Sequence, residues 1–372
     1  MFERPGGGDR AILVNLDFGE SDHADSVEEF RRLVQSAGIL AVGHVKGARR
    51  RPDATTFAGS GKVEEIAALV ESTGASLVLF NHELSPAQQR NLEQRFQRRA
   101  IDRTTLILDI FAQRARSHEG KLQVELAQLE HMASRLVRGW THLERQKGGI
   151  GMRGPGETQL ETDRRLLGKR VKVLKDKLLA VARQRETQRR ARSRGATVSV
   201  SIVGYTNAGK STLFNCLTRS GVYAADQLFA TLDTTSRRMV DAAGRSLVLS
   251  DTVGFIRDLP HSLVAAFSAT LEETVRADLL LHVVDAASPA WRQQIEDVNK
   301  VLQEIGARDI PQILVYNKID ASMQEPGVSK DQYGKIESVR VSAMTGAGVE
   351  ALRGILLDSP RVAQSIWNPV AA

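Results

Sequence analysis

The chain has 372 residues, of which 42% are hydrophobic and 26% charged, and its formal net charge is +7. This composition excludes a globally disordered chain, and the length allows two or three domains with cores of their own. No apolar run reaches the roughly 18 to 20 residues of a membrane span. The N-terminus lacks a signal peptide's apolar core, and the single cysteine, Cys216, cannot form an internal disulfide. We therefore expect a cytoplasmic protein, with peripheral attachment to membranes as an alternative.

The positive charge is concentrated in the middle of the chain. Residues 112–196 hold 21 Lys and Arg against 9 Asp and Glu, a net charge of +12. Residues 1–111 and 197–372 carry net charges of −2 and −3. So concentrated a basic segment indicates a polyanionic partner such as nucleic acid. The alternative is a solvated helical surface with surplus lysine and arginine.

The first 111 residues alternate β-rich and helical runs. This alternation predicts a small parallel α/β domain with right-handed crossovers over residues 1–111. Ser85 followed by Pro86 predicts the start of the last helix, because proline suits the first helical turn. The predicted strands are 11–17, 38–45 and 76–81, and the predicted helices are 24–38, 62–74 and 85–99.

Residues 112–196 change to a period of seven. Apolar residues recur at spacings of three and four from Leu122 to Leu143, which predicts a helix through 119–146, and the same spacing returns from Leu167 to Val181. Two such helices joined by a short loop are expected to form an antiparallel hairpin, seam against seam. Because the seams can pair within one chain, we predict a monomer.

From residue 197 the βα alternation returns, and a phosphate-binding loop follows its first strand. "GYTNAGKS" (204–211) matches G-x-x-x-x-G-K-[ST] between a strand and a helix. Its backbone amides should cradle the phosphates, Lys210 should reach the β- and γ-phosphates, and the Ser211 hydroxyl should ligate Mg²⁺. The apolar strands predict a P-loop domain with a doubly wound, mostly parallel sheet. We assign it residues 197–360, followed by a short tail, 361–372, with strands at 198–204, 246–254, 279–286, 311–318 and 337–343.

A second motif, "DTVG" (251–254), ends the next predicted strand. Asp251 is expected to hold the Mg²⁺ shell through water, and the Gly254 amide to lie near the γ-phosphate. The stretch "LFATLDTTSRR" between the two motifs should supply a threonine to the metal and the γ-phosphate. Thr231, Thr234 and Thr235 all qualify chemically, and spacing alone does not choose among them.

Two further motifs point to guanine. "NKID" (317–320) ends a third strand, where Asp320 can accept hydrogen bonds from guanine N1–H and its 2-amino group. Adenine lacks that amine, so this acceptor favours GTP over ATP. Asn317 should fix the loop and Lys318 should pack along the base, while the Ala343 amide of "SAMTG" can meet guanine O6. Four motifs in this order predict a GTP-binding domain of the Ras-like P-loop class.

Over nearly its full length the sequence resembles the HflX family, in the Obg–HflX group of translation-factor GTPases. The resemblance rests on "DRTTLILDIFAQRA" (102–115), "GGIGMRGPGETQLETDRR" (148–165), "LFATLDTT" (228–235) and the nucleotide motifs. It implies that Thr231 is the switch-I magnesium ligand. Family members bind the large (50S) ribosomal subunit and are implicated in splitting or rescuing stalled ribosomes. Many carry a further small domain after the GTPase domain, which we do not expect here.

The glycine-rich stretch "KGGIGMRGPGE" is expected at the tip of the basic hairpin. It lacks the lysine–hydroxyl pair and the preceding strand of a nucleotide loop. With the resemblance, we interpret it as a probe that contacts rRNA near the peptidyl-transferase centre, and the alternative is a flexible turn. The predicted rRNA contacts are Lys147, Gly148, Gly149, Arg153 and Gly154.

Two positions concern the rate of hydrolysis. Phe255 stands where Ras-type enzymes place a glutamine that orients the attacking water, so hydrolysis should be slow alone and stimulated by ribosomes. Asn207 precedes the P-loop lysine by three residues, as in GTPases that recruit K⁺ beside the phosphates. The alternative is that Asn207 only shapes the loop.

Other functions stay open at this stage. The protein could be a ribosome-assembly or RNA-remodelling NTPase, or a regulatory GTP-binding module. ATP binding has been attributed to the N-terminal region of family members, but the sequence shows no recognisable ATP motif there. The predicted catalytic residues are Lys210, Thr231 and Gly254, and the predicted metal ligands are Ser211, Thr231 and Asp251. The predicted GTP-binding residues are Gly204, Tyr205, Thr206, Asn207, Ala208, Gly209, Lys210, Ser211, Thr212, Phe229, Ala230, Thr231, Leu232, Asp233, Asp251, Thr252, Val253, Gly254, Asn317, Lys318, Ile319, Asp320, Ser342, Ala343 and Met344.

Overall fold

The computed structural model describes residues 8–19, 23–139, 155–192, 198–220, 227–240, 246–257 and 268–358, together with positions 259 and 263. The chain divides into two compact units. One comprises Met1–Gln113 with Lys121–Leu179, and the other Arg114–Gly120 with Ala180–Ala372. A short segment between two helices of the first unit therefore belongs with the second. The domain boundaries expected from the sequence at 111, 196 and 360 stay predictions.

The first unit contains a small α/β fold. Its strands are β1 (Arg10–Asp17), β2 (Leu40–Ala48), β3 (Leu77–Phe80) and β4 (Arg99–Asp102), and its helices are α1 (His23–Ser36), α2 (Ser60–Thr73), α3 (Pro86–Phe96) and α4 (Arg103–Arg114). The strands form one parallel sheet in the order β2-β1-β3-β4. Val14, Phe80 and Leu92 are fully buried in its core. The predicted parallel α/β architecture is confirmed.

The helix predicted after Ser85 shows where the sequence prediction was right and where it was wrong. The helix starts as predicted, with Pro86 in its first turn and a reciprocal capping box at Ser85. It ends at Phe96 rather than at Arg99, because Gln97 adopts a left-handed conformation with φ 51°. The chain then forms β4 and α4, which the prediction missed. A strand of four residues is too short to show a recognisable alternation.

Both predicted heptad seams form helices, α5 (His118–Gly139) and α6 (Pro155–Arg192). The two seams pack against each other, and ion pairs join Glu125 to Arg170 and Glu130 to Lys175 at 2.6 and 2.8 Å. The turn between the helices, with the five predicted rRNA contacts, lies outside the described residues. The packed seam residues are Leu122, Leu126, Leu129, Val171, Leu174 and Leu178.

The second unit carries a larger sheet. Its strands are β5 (Val198–Gly204), β6 (Thr235–Val240), β7 (Ser246–Asp251), β8 (Leu279–Asp285), β9 (Gln312–Asn317), β10 (Gly327–Lys330) and β11 (Ile336–Arg340). Its helices are α7 (Lys210–Thr218), α8 (Ser268–Val275), α9 (Trp291–Glu304), α10 (Ile319–Ser322) and α11 (Val349–Leu357). The sheet order is β10-β11-β9-β8-β5-β7-β6, and only β6 and β10 run antiparallel to their neighbours. The mostly parallel sheet is confirmed. The sequence prediction missed these two edge strands, since they are polar and lack apolar runs.

This strand order brings the nucleotide motifs together. β5 lies in the middle of the sheet, between β7 and β8, and β9 follows β8. Because these four strands are parallel, the loops at their carboxyl ends meet at one edge of the sheet. The P-loop, "DTVG" and "NKID" are three of these loops. No helix within the described ranges is long and apolar enough to cross a membrane.

A buried histidine in β8 makes the stability of this unit depend on pH. Burial lowers the pKa of His282 to about 4, although the contact with Gln312 opposes this effect. An unfolded histidine titrates near 6.5, so the folded state should lose stability as the pH falls from 6.5 towards 4. The expected loss is on the order of 3 kcal/mol. Urea unfolding between pH 7.5 and 4.5 should show it. The H282L variant has no titrating group at this position, so its free energy of unfolding should depend less steeply on pH. Equal slopes for the variant and the wild type would show that His282 does not cause the loss of stability.

Candidate nucleotide-binding site

A cavity of about 530 Å³ opens at the edge of the sheet where the motif loops meet. The residues around it come from the P-loop, "DTVG", "NKID", "SAMTG" and the segment 227–235, here called switch I. The fold thus brings together the predicted nucleotide motifs. Gln227 and Ala321 also line the cavity and were not predicted. Both lie beside predicted residues, and no sequence signal marked them. The predicted residues lining it are Thr206, Asn207, Gly209, Lys210, Ser211, Thr212, Phe229, Ala230, Thr231, Thr252, Gly254, Asn317, Lys318, Asp320, Ala343 and Met344.

The P-loop is held by a side chain from another motif. Gly209 has φ 90° and directly precedes α7. A Cβ atom at this position would collide with the Nδ2 atom of Asn317. That Nδ2 atom donates to the Ala208 carbonyl at 2.9 Å. Glycine at 209 therefore lets the phosphate loop lie directly on "NKID".

Asn317 also joins the P-loop to the last motif. Its Oδ1 atom accepts a hydrogen bond from the Ala343 amide at 2.9 Å, and Asn317 is buried. Asn317 thus connects the P-loop with "SAMTG", and its role in fixing the nucleotide-binding loop stays a prediction. The same Ala343 amide was expected to meet guanine O6, and that contact stays a prediction. Lys318 forms an ion pair with Asp285 at 2.7 Å, whereas Asp320 is exposed at the cavity wall.

Three oxygen-bearing side chains from different segments meet beside the P-loop. Ser211 Oγ lies 2.7 Å from Thr231 Oγ1 and donates to Asp251 Oδ2 at 2.6 Å. Thr231 Oγ1 donates to the same Oδ2 atom at 3.1 Å. Asp251 Oδ1 is buried with no hydrogen-bond partner among the described residues. Burial raises the pKa of Asp251. A cation beside the carboxylate would oppose this effect and favour the ionised form. These hard oxygen atoms are the ligand type that Mg²⁺ prefers.

The arrangement also distinguishes among the three switch-I threonines left open by the spacing. Thr231 is the one whose hydroxyl reaches Ser211 and Asp251. Thr235 instead begins β6 at the sheet edge. Two hydroxyls and a carboxylate form this cluster. Across the described ranges, no group of three or more His, Cys, Asp or Glu residues could hold a metal.

Lys210 lines the cavity and contacts the backbone of the P-loop itself. Its ammonium is buried and donates to the Tyr205 carbonyl at 2.6 Å. Burial lowers the pKa of Lys210 to about 8; Asp251 opposes this effect and Lys318 adds to it. An anionic phosphate in the cavity would favour the protonated amine. The buried lysine is therefore suited to bind a phosphate ester.

Phe255 cannot take the role of a water-orienting glutamine. Its side chain is 1% exposed and lies in the core. Its backbone instead bridges to the P-loop, since the Thr206 amide donates to the Phe255 carbonyl at 2.7 Å and the Phe255 amide donates to Gly204 at 3.1 Å. The residue after Gly254 thus ties "DTVG" to the phosphate loop. No water-orienting side chain is provided at this position.

Some predicted nucleotide-binding residues do not line the cavity. Asp251 belongs to the oxygen cluster, while Asp233 points its carboxylate at the backbone of Arg116 and Ser117. The other predicted residues that do not line the cavity are Gly204, Tyr205, Ala208, Leu232, Val253, Ile319 and Ser342.

Family models match the chain in three consecutive stretches. The model described as "GTP-binding GTPase N-terminal" matches residues 24–112, and the corresponding "Middle Region" matches residues 114–192. The model described as "50S ribosome-binding GTPase" matches residues 199–318. Together they span most of the chain in the order of its three predicted segments.

Similar proteins carry the same name in different bacteria. The GTPase HflX of Escherichia coli is 58% identical over 367 residues, which cover 98% of this chain and 86% of that protein. The GTPase HflX of Magnetococcus marinus is 54% identical over 298 residues, which cover 80% of this chain and 69% of that protein. The GTPase HflX of Lacrimispora saccharolytica is 47% identical over 349 residues, which cover 94% of this chain and 82% of that protein.

Among solved structures, the GDP complex of SsGBP shares the fold. It aligns with a TM-score of 0.53 at 24% identity, covering 95% of this chain and 99% of that one. The identity is too low to support more than the fold. Full-length similarity to the bacterial proteins, together with the assembled P-loop, "DTVG", "NKID" and "SAMTG" motifs, shows that the chain belongs to the HflX family of GTPases.

Proposed function

We propose that this protein is a Mg²⁺-dependent molecular switch that docks on the large (50S) ribosomal subunit with GTP and leaves after hydrolysis. We propose further that it splits or rescues stalled 70S ribosomes in the cytoplasm. The observation that carries the switch is the meeting of Ser211, Thr231 and Asp251 beside the P-loop. The match to the 50S ribosome-binding GTPase model supports the ribosomal partner.

The residues at the site have distinct proposed roles. Lys210 binds the β- and γ-phosphates, and the Gly254 amide approaches the γ-phosphate. Ser211 and Thr231 would hold Mg²⁺ directly, and Asp251 would hold it through water. When bound, the ion neutralises charge on the phosphate oxygens. Asp320 reads the guanine edge.

Hydrolysis by the isolated protein should be slow, because Phe255, the residue after Gly254, is buried and has no polar side chain that could orient water. Ribosomal subunits are proposed to order the switches or to supply a group in trans. Phosphate release should therefore rise with added subunits. An unchanged turnover rate with saturating subunits would contradict the stimulation.

Asn207 lines the cavity with a left-handed backbone at φ 62°. It either recruits K⁺ beside the phosphates or shapes the loop alone. Comparing hydrolysis in potassium and sodium buffers decides between these roles. Equal rates would exclude the potassium role and leave the structural one.

The basic hairpin is the proposed contact with rRNA. Residues 112–196 carry a net charge of +12, and the seams of α5 and α6 pack together, so the tip at 147–154 can be presented on a stable helical pair. Intramolecular seam packing also supports a monomer. ATP binding by the N-terminal region stays a prediction for which the described residues provide no argument.

Sedimentation of 70S ribosomes with the protein and a non-hydrolysable GTP analogue tests the function. Splitting into subunits is the expected result. Association only with immature subunits would favour an assembly or RNA-remodelling role instead. Association that does not depend on the nucleotide would favour a regulatory binding module.

Alanine substitution across residues 148–156 tests the tip. The variant should lose subunit binding and splitting, because all the proposed rRNA contacts except Lys147 are removed. Its GTP hydrolysis in the absence of ribosomes serves as the internal control and should stay unchanged. Normal splitting by this variant would show that the segment is only a turn.

A further inference from the structure

The carboxylate of Asp233 lies against the beginning of α5. Its Oδ2 atom accepts hydrogen bonds from the backbone amides of Arg116 and Ser117 at 2.9 and 2.8 Å. Its Oδ1 atom accepts from the Ser117 hydroxyl at 2.5 Å. These residues all belong to the unit that carries the nucleotide cavity. Three donors thus converge on one carboxylate from switch I.

The start of α5 is built to receive this carboxylate. The Ser117 hydroxyl accepts a hydrogen bond from the Gly120 amide at 2.8 Å, as a helix cap does, while it donates to Asp233. A Cβ atom at Gly120 would collide with Asp233 Oδ1. Glycine is unfavourable inside a helix, so its presence here matches the space that the carboxylate needs. The positive end of the helix dipole adds to the attraction.

The contact lies next to the proposed metal ligand. Asp233 follows Thr231 by two residues, and the Thr231 hydroxyl reaches Ser211 and Asp251. On the other side of Thr231, Gln227 accepts a hydrogen bond from the Arg114 guanidinium at 2.5 Å. The switch segment is therefore attached on both sides of Thr231 to residues 114–117.

We propose that Asp233 is a positioning residue for the GTPase reaction: by binding the start of α5, it holds Thr231 where phosphate and metal need it. The proposal rests on the proposed function, in which the Thr231 hydroxyl ligates Mg²⁺ and its amide meets the γ-phosphate. GDP lacks that phosphate, so we expect the Asp233 contact to contribute more to the binding of GTP than to the binding of GDP.

Titrations with fluorescent GDP and a fluorescent non-hydrolysable GTP analogue test the role of Asp233. In D233A the GDP affinity should stay within about twofold, while affinity for the GTP analogue and kcat should each fall about tenfold. The Mg²⁺ concentration for half-maximal hydrolysis should rise. D233N, which keeps one acceptor oxygen, should lie between D233A and the wild type. Equal losses of GDP and GTP-analogue affinity, or no loss of either, would overturn the proposal.

Substitution of the receiving glycine provides an independent test. G120A should impair binding of the GTP analogue in the same direction as D233A, although alanine ordinarily favours a helix. The double variant G120A/D233A should be no worse than D233A, because the collision needs the carboxylate. Additive losses would overturn the proposal. Gly168→Ala in α6, where a Cβ meets nothing within 4 Å, is the matched control and should behave as wild type.

The outcomes separate this proposal from the proposed function. These titrations use the isolated full chain with Mg²⁺ and no ribosomes. A wild-type protein that binds the GTP analogue but fails to bind ribosomes contradicts the ribosomal function and leaves the positioning role supported by the variants. If the wild type splits ribosomes and D233A has wild-type nucleotide affinities and kcat, only the positioning role is contradicted.

Discussion

Replacing Asp320 with asparagine should lower the affinity for GTP by at least about 100-fold, since a hydrogen-bonding site rejects a mismatched partner strongly. The carboxylate is expected to accept from guanine N1–H and the 2-amino group, and an asparagine amide would turn a donor towards that amine. Xanthosine triphosphate carries a carbonyl oxygen at C2 instead, so the variant should bind it better than GTP. The measurement is competition between the two nucleotides against a fluorescent analogue.

The fold should tolerate this substitution, because Asp320 is exposed at the cavity wall. The free energy of unfolding of D320N is expected to differ from that of the wild type by no more than about 0.5 kcal/mol. Glu325, also exposed, provides a matched control, since E325Q removes one negative charge from the same region. GTP selectivity retained in D320N would show that another residue reads the base.

Substitution of Gly209 by alanine should also reduce GTP and GDP affinity by at least about 100-fold. The new Cβ would collide with Asn317, which holds both the Ala208 carbonyl and the Ala343 amide. Loss of these two hydrogen bonds costs about 1 kcal/mol each. The left-handed backbone, at φ 90°, adds about 1–3 kcal/mol of strain. Titration with a fluorescent GDP analogue measures the combined effect.

A second glycine separates strain from collision. Gly306 has φ 77°, but a Cβ there would meet nothing within 4 Å. G306A should therefore lose some stability with little change in nucleotide affinity. If G209A bound nucleotide as well as G306A does, the contact between the P-loop and "NKID" would not matter for binding.

The local motifs made the nucleotide site predictable. P-loop glycines, a lysine and a hydroxyl act through spacings of a few residues, so their order is visible without a fold. The long apolar strands were likewise recognisable, and their predicted parallel arrangement is confirmed. β4, β6 and β10 were missed, because short or polar edge strands owe their structure to the neighbour they pair with.

Contacts between distant segments could not be foreseen in the same way. Nothing in the spacing of "LFATLDTT" distinguishes Asp233 from a nucleotide-binding residue. Its actual partners, Arg116 and Ser117, are more than one hundred residues earlier in the chain. For Asn317 the sequence predicted a role in fixing the loop, but not the hydrogen bonds to Ala208 and Ala343 that join separate loops.

The sequence by itself determined the chemistry of this protein: guanine nucleotide, phosphate loop and a basic helical segment, because each depends on residue types at short spacing. Tertiary structure alone decided which threonine meets Asp251, that the side chain of Phe255 is buried, and that switch I is attached to the start of α5. These features depend on where separate segments meet in space. That placement follows from sheet order and packing, which act between residues far apart in the chain.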